Sequence, residues 1–408
     1  MKKTIKTIAL AGAMSALLAT GSMARTLIVN SDQVDPAPKA AFAELLSRFQ
    51  AENPDIDVRW NDFEKEGYKT AIRGWLASSP PDIAFWYAGE RMKFFVDRGL
   101  FADVSDIWVD NNMHEDFASV VPAMSVDGKQ YGVPFSYYQW GIYYNKDVFD
   151  RYGLSEPSTW EEFMAINATL KENGVAPITI GTRFLWTAGG WFDYLNLRVN
   201  GLDYHIDLME GKIAYNDDGV REVFKYWGEL VNNGYFIDNH AAYSWQEAQP
   251  FLFNGQAAMY LMGNFLTPNF PDDVNFGFFQ FPQINPEIGM YEDAPLDTIH
   301  MPTGAKNKDE ARLFLEFVAR ADNQALLNQQ LNQLPPHSGA ATNDDMFLQE
   351  GARMLAAADG TAQFYDRDTL PEMASVGMQG FQEFMVNPDR LDAILDRLER
   401  TRARIYRD

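Results

Sequence analysis

Three short apolar runs separated by two helical patterns constrain this chain more tightly than any other feature. The runs are TLIVN (Thr26–Asn30), DIDVRW (Asp55–Trp60) and DIAFWY (Asp82–Tyr87). Between the first two, Phe42, Leu45, Leu46 and Phe49 recur at helical spacing and stop at Asn53-Pro54. Between the second and third, Tyr68, Ile72, Trp75 and Leu76 share one helix face, and Pro80-Pro81 ends it. A continuous apolar strand has to be covered on both faces, and strands joined through helices pair in parallel. The predicted start is therefore β-α-β-α-β, a parallel sheet with helices packed on it, in which Trp60 and Trp75 take core positions. Open sheets of this kind bind ligands beyond the carboxyl ends of their strands. Here those ends are Asn30-Ser31-Asp32, the segment Asn61–Glu64, and Trp86-Tyr87 running on to Glu90-Arg91. They offer acceptors, carboxylates and an indole.

The rest of the chain repeats the strand–helix alternation without an internal repeat. Asp127-Gly128 is a hairpin signal followed by a long extended run. STWEEF reads as a capping box with Ser158 as N-cap and Glu161 three residues on, which leaves Trp160 just inside the helix and in the core. Val220, Val223, Phe224, Trp227 and Val231 form one helical stripe, with Trp227 in the core. APITIG, AAMYLMGN and NFGFFQFP read as strands, and FPQINPEIGMYEDAP as a surface loop. A chain of 408 residues exceeds what one hydrophobic core serves, so two domains are expected.

The first residues read as an export signal. Lys2, Lys3 and Lys6 precede the apolar stretch Ile8–Leu18, and Ser22-Met23-Ala24 is a small-x-small cleavage site, so residues 1–24 are expected to be removed after Ala24. The chain has no cysteine, which leaves out disulfides, thiolate metal sites and a lipid-modified cysteine. A formal net charge of −23 disfavours nucleic acid and anionic membranes as partners. The 10 Trp and 18 Tyr carry flat, amphipathic faces that serve either cores or ligands.

ENPDIDV, PPDIAFWYAGE, DGKQYGVPFSYYQWGIYYNKDVF, STWEEF, GQAAMYLMGNF, PTGAKNKDEARLFLEFV and LPPHSG follow one another in an order that resembles the extracellular solute-binding proteins of family 1, the carbohydrate receptors of ABC importers. The resemblance implies a type II periplasmic-binding-protein-like α/β fold. Two lobes would be joined by hinge strands, with a ligand cleft between them. It implies lobe 1 from residues 25–136 and 302–335, lobe 2 from 137–298 and 338–408, and crossings near Phe135, Thr298–Pro302 and Pro335. It further implies a periplasmic monomer, neither an enzyme nor inserted in a membrane. Such a receptor would close on a mono- or oligosaccharide and deliver it to permease subunits, without a cofactor or a metal.

On this reading one of Tyr137 and Tyr138 faces the cleft, while the other packs the second lobe with Trp140, Tyr143 and Tyr144. A pyranose needs aromatic platforms for its C–H faces and oriented polar groups for its hydroxyls. The platform candidates are Trp86, Trp186, Trp191 and Trp245, and the polar candidates are Asp32, Glu64, Glu90, Asn264, Asp297, His300 and Arg367. Three rival readings use the same residues. A receptor of this fold could take a polyol, a glycerol-linked sugar or a sugar acid. Ferric iron could bind paired phenolates at Tyr137-Tyr138. A glycoside hydrolase would need two carboxylates flanking the scissile bond, and no spacing singles out such a pair.

Overall fold

β1 (Arg25–Ser31), β2 (Ile56–Asp62) and β3 (Ile83–Tyr87) pair in parallel, with α1 (Pro36–Glu52) and α2 (Lys65–Ser78) as the crossovers, and α3 (Glu90–Val96) follows β3. The computed structural model describes residues 25–406, and the expected export signal over 1–24 lies outside them. β4 (Ser125–Val126) and β5 (Lys129–Gln130) form the hairpin signalled by Asp127-Gly128, both at positive φ as the tight turn requires. The extended run that follows is two strands, β6 (Val133–Tyr137) and β7 (Trp140–Asn145). The remaining strands are β8 (Ala176–Ile178), β9 (Ala257–Gly263), β10 (Phe276–Phe279), β11 (Tyr291–Asp293), β12 (Leu296–His300) and β13 (Gly360–Ala362).

Two sheets organise these strands. The first has the order β2-β1-β3-β12-β6, with β12 antiparallel to both neighbours, and the second has the order β10-β7-β9-β8. β6 and β7 are adjacent in sequence but lie in different sheets, so the chain leaves the first sheet at Tyr138-Gln139. All of β12 belongs to the first sheet, so residues 296–298 lie there and not with the strands that precede them. The segment read as a surface loop contains β11, which pairs in parallel with β13.

Each sheet has its own hydrophobic cluster. Leu27, Val29, Phe42, Leu45, Phe49, Phe85, Phe135 and Phe314 pack around the first, and Tyr143, Phe192, Tyr194, Trp227 and Phe381 around the second. Each large side chain fully buried this way contributes about 1.5–3 kcal/mol. Trp160 and Trp227 are core residues, whereas Trp60 and Trp75 are half-buried against the first cluster. The capping box expected at Ser158 and Glu161 is displaced by one residue. Thr159 is the N-cap and Glu162 its partner, because Ser158 spends both its N–H and its hydroxyl on the Glu162 carboxylate.

Candidate functional site

The first sheet supplies one wall of a cleft that opens between the sheets. Beyond β1, Asp32 is buried and accepts the Gln33 side-chain amide at 2.7 Å. Lys65 and Lys69, one turn apart at the start of α2, present their ammonium groups on the same side. At the end of β3, Tyr87 stands directly opposite Asp297 of β12, and both side chains line the cleft.

The second wall is aromatic. Tyr138 and Trp140 come from the crossing and the start of β7, and Phe265 follows β9. Trp186 and Trp245 each open a helix, Trp186–Val199 and Trp245–Phe253. The second helix is capped reciprocally by Ser244 and Glu247, which fixes the angle at which Trp245 enters the cleft. Ring centroids lie 6.0 Å apart for Trp140 and Trp186, 6.4 Å for Trp186 and Trp245, 5.2 Å for Trp245 and Phe265, and 4.8 Å for Trp140 and Phe364. The space between the walls is about 1020 Å³, open solvent at the mouth included.

The short helix Tyr365–Asp368 closes one end. Arg367 is buried, donates to the Tyr138 hydroxyl at 2.8 Å, reaches Asp297 at 3.0 Å and lies 4.3 Å over the Tyr87 ring. Burial pushes the Tyr138 phenol up to about 12, against the pull of the Arg367 charge. It also raises the Asp297 carboxyl above its ordinary value, although Arg367 and Lys65 act the other way. Burial alone would lower the Lys65 ammonium, but Asp32, Asp297, Tyr138 and Asp35 hold it above its usual range. The cleft is thus a nearly balanced set of opposite charges facing a row of rings.

Of the residues predicted from sequence, Asp32, Tyr138, Trp186, Trp245, Asp297 and Arg367 line this cleft together. Tyr138, not Tyr137, is the one that faces it, and Tyr137 is half-buried against the first cluster while its backbone bridges to Leu334. Six others lie elsewhere. Trp86 points into the first lobe, packed on Tyr68 and Phe95, with its indole N–H donated to the Arg91 carbonyl at 3.1 Å. Strand alternation explains this, since Tyr87 takes the cleft side and Trp86 must take the other. Trp191 is fully buried against Phe236 and Phe281 because it sits one and a half turns from Trp186, on the inner helix face. Glu64 is exposed and caps α2 by accepting the N–H groups of Glu66 and Gly67. Glu90 opens α3 outside the cleft wall. Asn264 is buried between the Tyr143 hydroxyl and the Asn332 carbonyl. His300 stacks on Phe101 at 4.2 Å between Tyr131 O and Thr298 Oγ1, and burial lowers it to about 4.

The cleft residues that sequence reasoning missed include Tyr87, Lys65, Lys69, Phe265, Phe364 and Asp366, while Trp140 packs the second lobe as expected and only its edge borders the cleft, at 2% exposure. The parity of β3 and the four-residue spacing of the two lysines after a strand end were visible signals. Phe265 and Phe364 leave none. Among the described residues no cluster of three or more His, Asp or Glu is placed to hold a metal ion. Tyr137 and Tyr138 face different ways, so they do not form the paired phenolate site considered for iron. No helix among the described residues is long and apolar enough to cross a membrane.

A sequence profile of the bacterial extracellular solute-binding proteins matches residues 33–325. The chain belongs to that family. An uncharacterized ABC transporter extracellular-binding protein of Pyrococcus horikoshii is 30% identical over 315 residues, which cover 74% of this chain and 69% of the relative. The multiple sugar-binding protein of Streptococcus mutans is 24% identical, over 78% of this chain and 79% of its own length. Among solved structures, the bacterial solute receptor AcbH superposes with a TM-score of 0.87 at 30% identity, covering 94% of this chain and 99% of the other. A chitin oligosaccharide binding protein superposes at 0.86 and 21% identity, covering 93% and 98%, and so supports the two-lobed fold. These relatives are named as binding proteins and receptors.

Proposed function

We propose that this solute-binding protein is the exported receptor of an ABC importer and takes an uncharged saccharide in the cleft. The observation that carries the reading is the pairing of walls: three indoles and two phenyl rings on one side, and carboxylates, ammonium groups and an amide on the other. Such a pair of walls suits a sugar ring, whose C–H faces stack and whose rim hydroxyls both donate and accept. The named ligands of related receptors agree: AcbH is described as having an exclusive preference for β-D-galactopyranose, and the Streptococcus mutans relative as binding multiple sugars.

Charge matching favours a neutral ligand over a sugar acid. Arg367 is paired with Asp297 at 3.0 Å, Lys69 with Glu66 at 3.1 Å, and Lys65 lies in the field of Asp32 and Asp297. A ligand carboxylate would enter among Asp32, Asp35, Asp297 and Asp366, which outnumber the cations Lys65, Lys69 and Arg367 lining the cleft. The lobes of the proposed receptor are residues 25–137, β12 and 302–335 on one side, and 138–294 and 338–408 on the other. It acts in the periplasm as a monomer that presents its closed form to the permease, and its ligand leaves chemically unchanged.

The test is a thermal-shift screen of residues 25–408 against D-galactose, raffinose, N,N′-diacetylchitobiose, glycerol, D-galacturonate and ferric citrate. A ligand at about a hundred times its Kd adds about 2.7 kcal/mol to the folded state, and for a chain of this size the melt moves by a few degrees. Shifts confined to neutral saccharides are expected, with intact sugar recovered afterwards. A shift with galacturonate alone, or recovery of cleaved product, would overturn the reading.

A further inference from the structure

The helix Tyr365–Asp368 is gripped from both lobes. On the second-lobe side Asp193 Oδ2 accepts the Tyr365 N–H at 2.7 Å, and Phe364 and Tyr365 belong to that lobe's core. On the first-lobe side a single guanidinium takes two oxygens of one residue. Arg91 Nε donates to the Asp366 carbonyl, and Nη2 donates to Asp366 Oδ2 at 2.7 Å. Both side chains are nearly out of solvent, at 14% and 8% exposure. Gly89 makes the approach possible. Its φ is +67°, and a Cβ there would stand 2.9 Å from the Arg367 carbonyl oxygen. Arg91 is itself held in place, since its carbonyl accepts the Trp86 indole N–H and its guanidinium lies 5.7 Å from the Trp86 ring. Asp366 lines the cleft, but Arg91 does not.

A fork that fixes both the backbone and the carboxylate of its partner sets position and rotamer together. In so dry a setting the pair is little screened by salt, and removing one partner strands the other. Burial alone would raise the Asp366 carboxyl, but Arg91, Lys69 and Arg367 more than offset it and hold it below its ordinary value. We propose that Arg91 is a positioning residue that clamps Asp366 across the lobe interface and so holds the cleft closed without touching the ligand. The proposal rests on the receptor reading above for what the cleft binds, but not for the clamp itself.

The chain has no cysteine, so two introduced ones label it uniquely. Thr70→Cys on α2 of the first lobe and Asp272→Cys, just after the Asn264–Asn269 turn of the second, are both exposed, and spin labels there report the separation of the lobes. In the labelled protein, Arg91→Met keeps the stem over Trp86 and removes the fork. It is expected to move the distance distribution toward the open form, with or without D-galactose or raffinose present. Arg91→Lys, which keeps the charge but offers no planar fork, falls between. For each saccharide that binds, Arg91→Met weakens affinity at least tenfold and preserves the rank order, because no ligand contact is lost. Distance distributions equal in wild type and Arg91→Met would overturn the clamp, whatever the affinities. A changed rank order would also overturn it, by showing that Arg91 shapes the ligand contacts, through Asp366 or directly, and not only the closure of the cleft. If no saccharide binds, the receptor reading fails and the distances of the unliganded proteins alone decide the clamp.

Discussion

Trp86 and Tyr87 are neighbours on one strand, and alternation sends them to opposite faces: the indole into the first lobe's core, the phenol toward Arg367 and Asp297. That difference separates stability from binding. Trp86→Ala should lower the unfolding free energy by about 3–5 kcal/mol, as emptying a large core site does. Trp186, half-exposed at the cleft, should behave the other way. Trp186→Ala is expected to weaken saccharide binding more than tenfold, since the stacking and burial lost together exceed about 1.4 kcal/mol. Its urea midpoint should stay near that of wild type. Calorimetric titration and urea unfolding of both variants check the pair, and a binding defect in Trp86→Ala with normal stability would contradict it. Composition located the aromatic wealth, but parity decided which ring meets solvent. The same holds for Tyr137 and Tyr138, where a choice of one from two was readable and the choice itself was not.

At the level of elements, the helix Tyr365–Asp368 concentrates charge against the cleft wall. Asp368 accepts the Gln363 N–H, yet burial, with Glu90 and Glu210 adding to it, raises its carboxyl to about 7. A folded-state value above the unfolded one makes the folded chain hold its proton longer. Stability is therefore full below about pH 4 and is lost as pH rises toward 7. Asp368→Asn keeps an acceptor for Gln363 and removes the titration. It should match wild type near pH 4 and exceed it by about 2 kcal/mol at pH 8, allowing for partial exposure. Urea unfolding at the two pH values measures this, and an equal difference at both would show that the carboxyl does not titrate as described. The elements near the N-terminus were legible because local patterns dictate them: an apolar run, a helical stripe, a proline stop. This short helix was not, because its four residues are held by Asp193 and Arg91, distant in sequence, which grip its first two residues, Tyr365 and Asp366, from opposite sides.

For the whole molecule, two hydrophobic clusters on two sheets, joined by crossing strands, make two units of stability. Urea unfolding of the unliganded chain should depart from a single two-state transition, whereas a saturating saccharide, touching both walls, should merge the steps. Tryptophan fluorescence and far-UV circular dichroism recorded together test this, and coincident single transitions without ligand would refute it. The amino-acid sequence by itself determined the β-α-β-α-β start, the division into two α/β lobes, the family, and the strand ends near which a cleft had to open. The start and the strand ends follow from periodicity and the expectation of two domains from chain length, which are local or additive properties, whereas the family and its two lobes followed from the resemblance carried by the order of the motifs. Only the tertiary structure decided that Trp86, Trp191, Asn264 and His300 are internal, and that Phe265, Phe364 and Asp366 complete the cleft. A cleft wall is assembled from segments more than a hundred residues apart. Which side chain reaches it is set by how each strand's parity and each helix's rotation settle against the rest of the core.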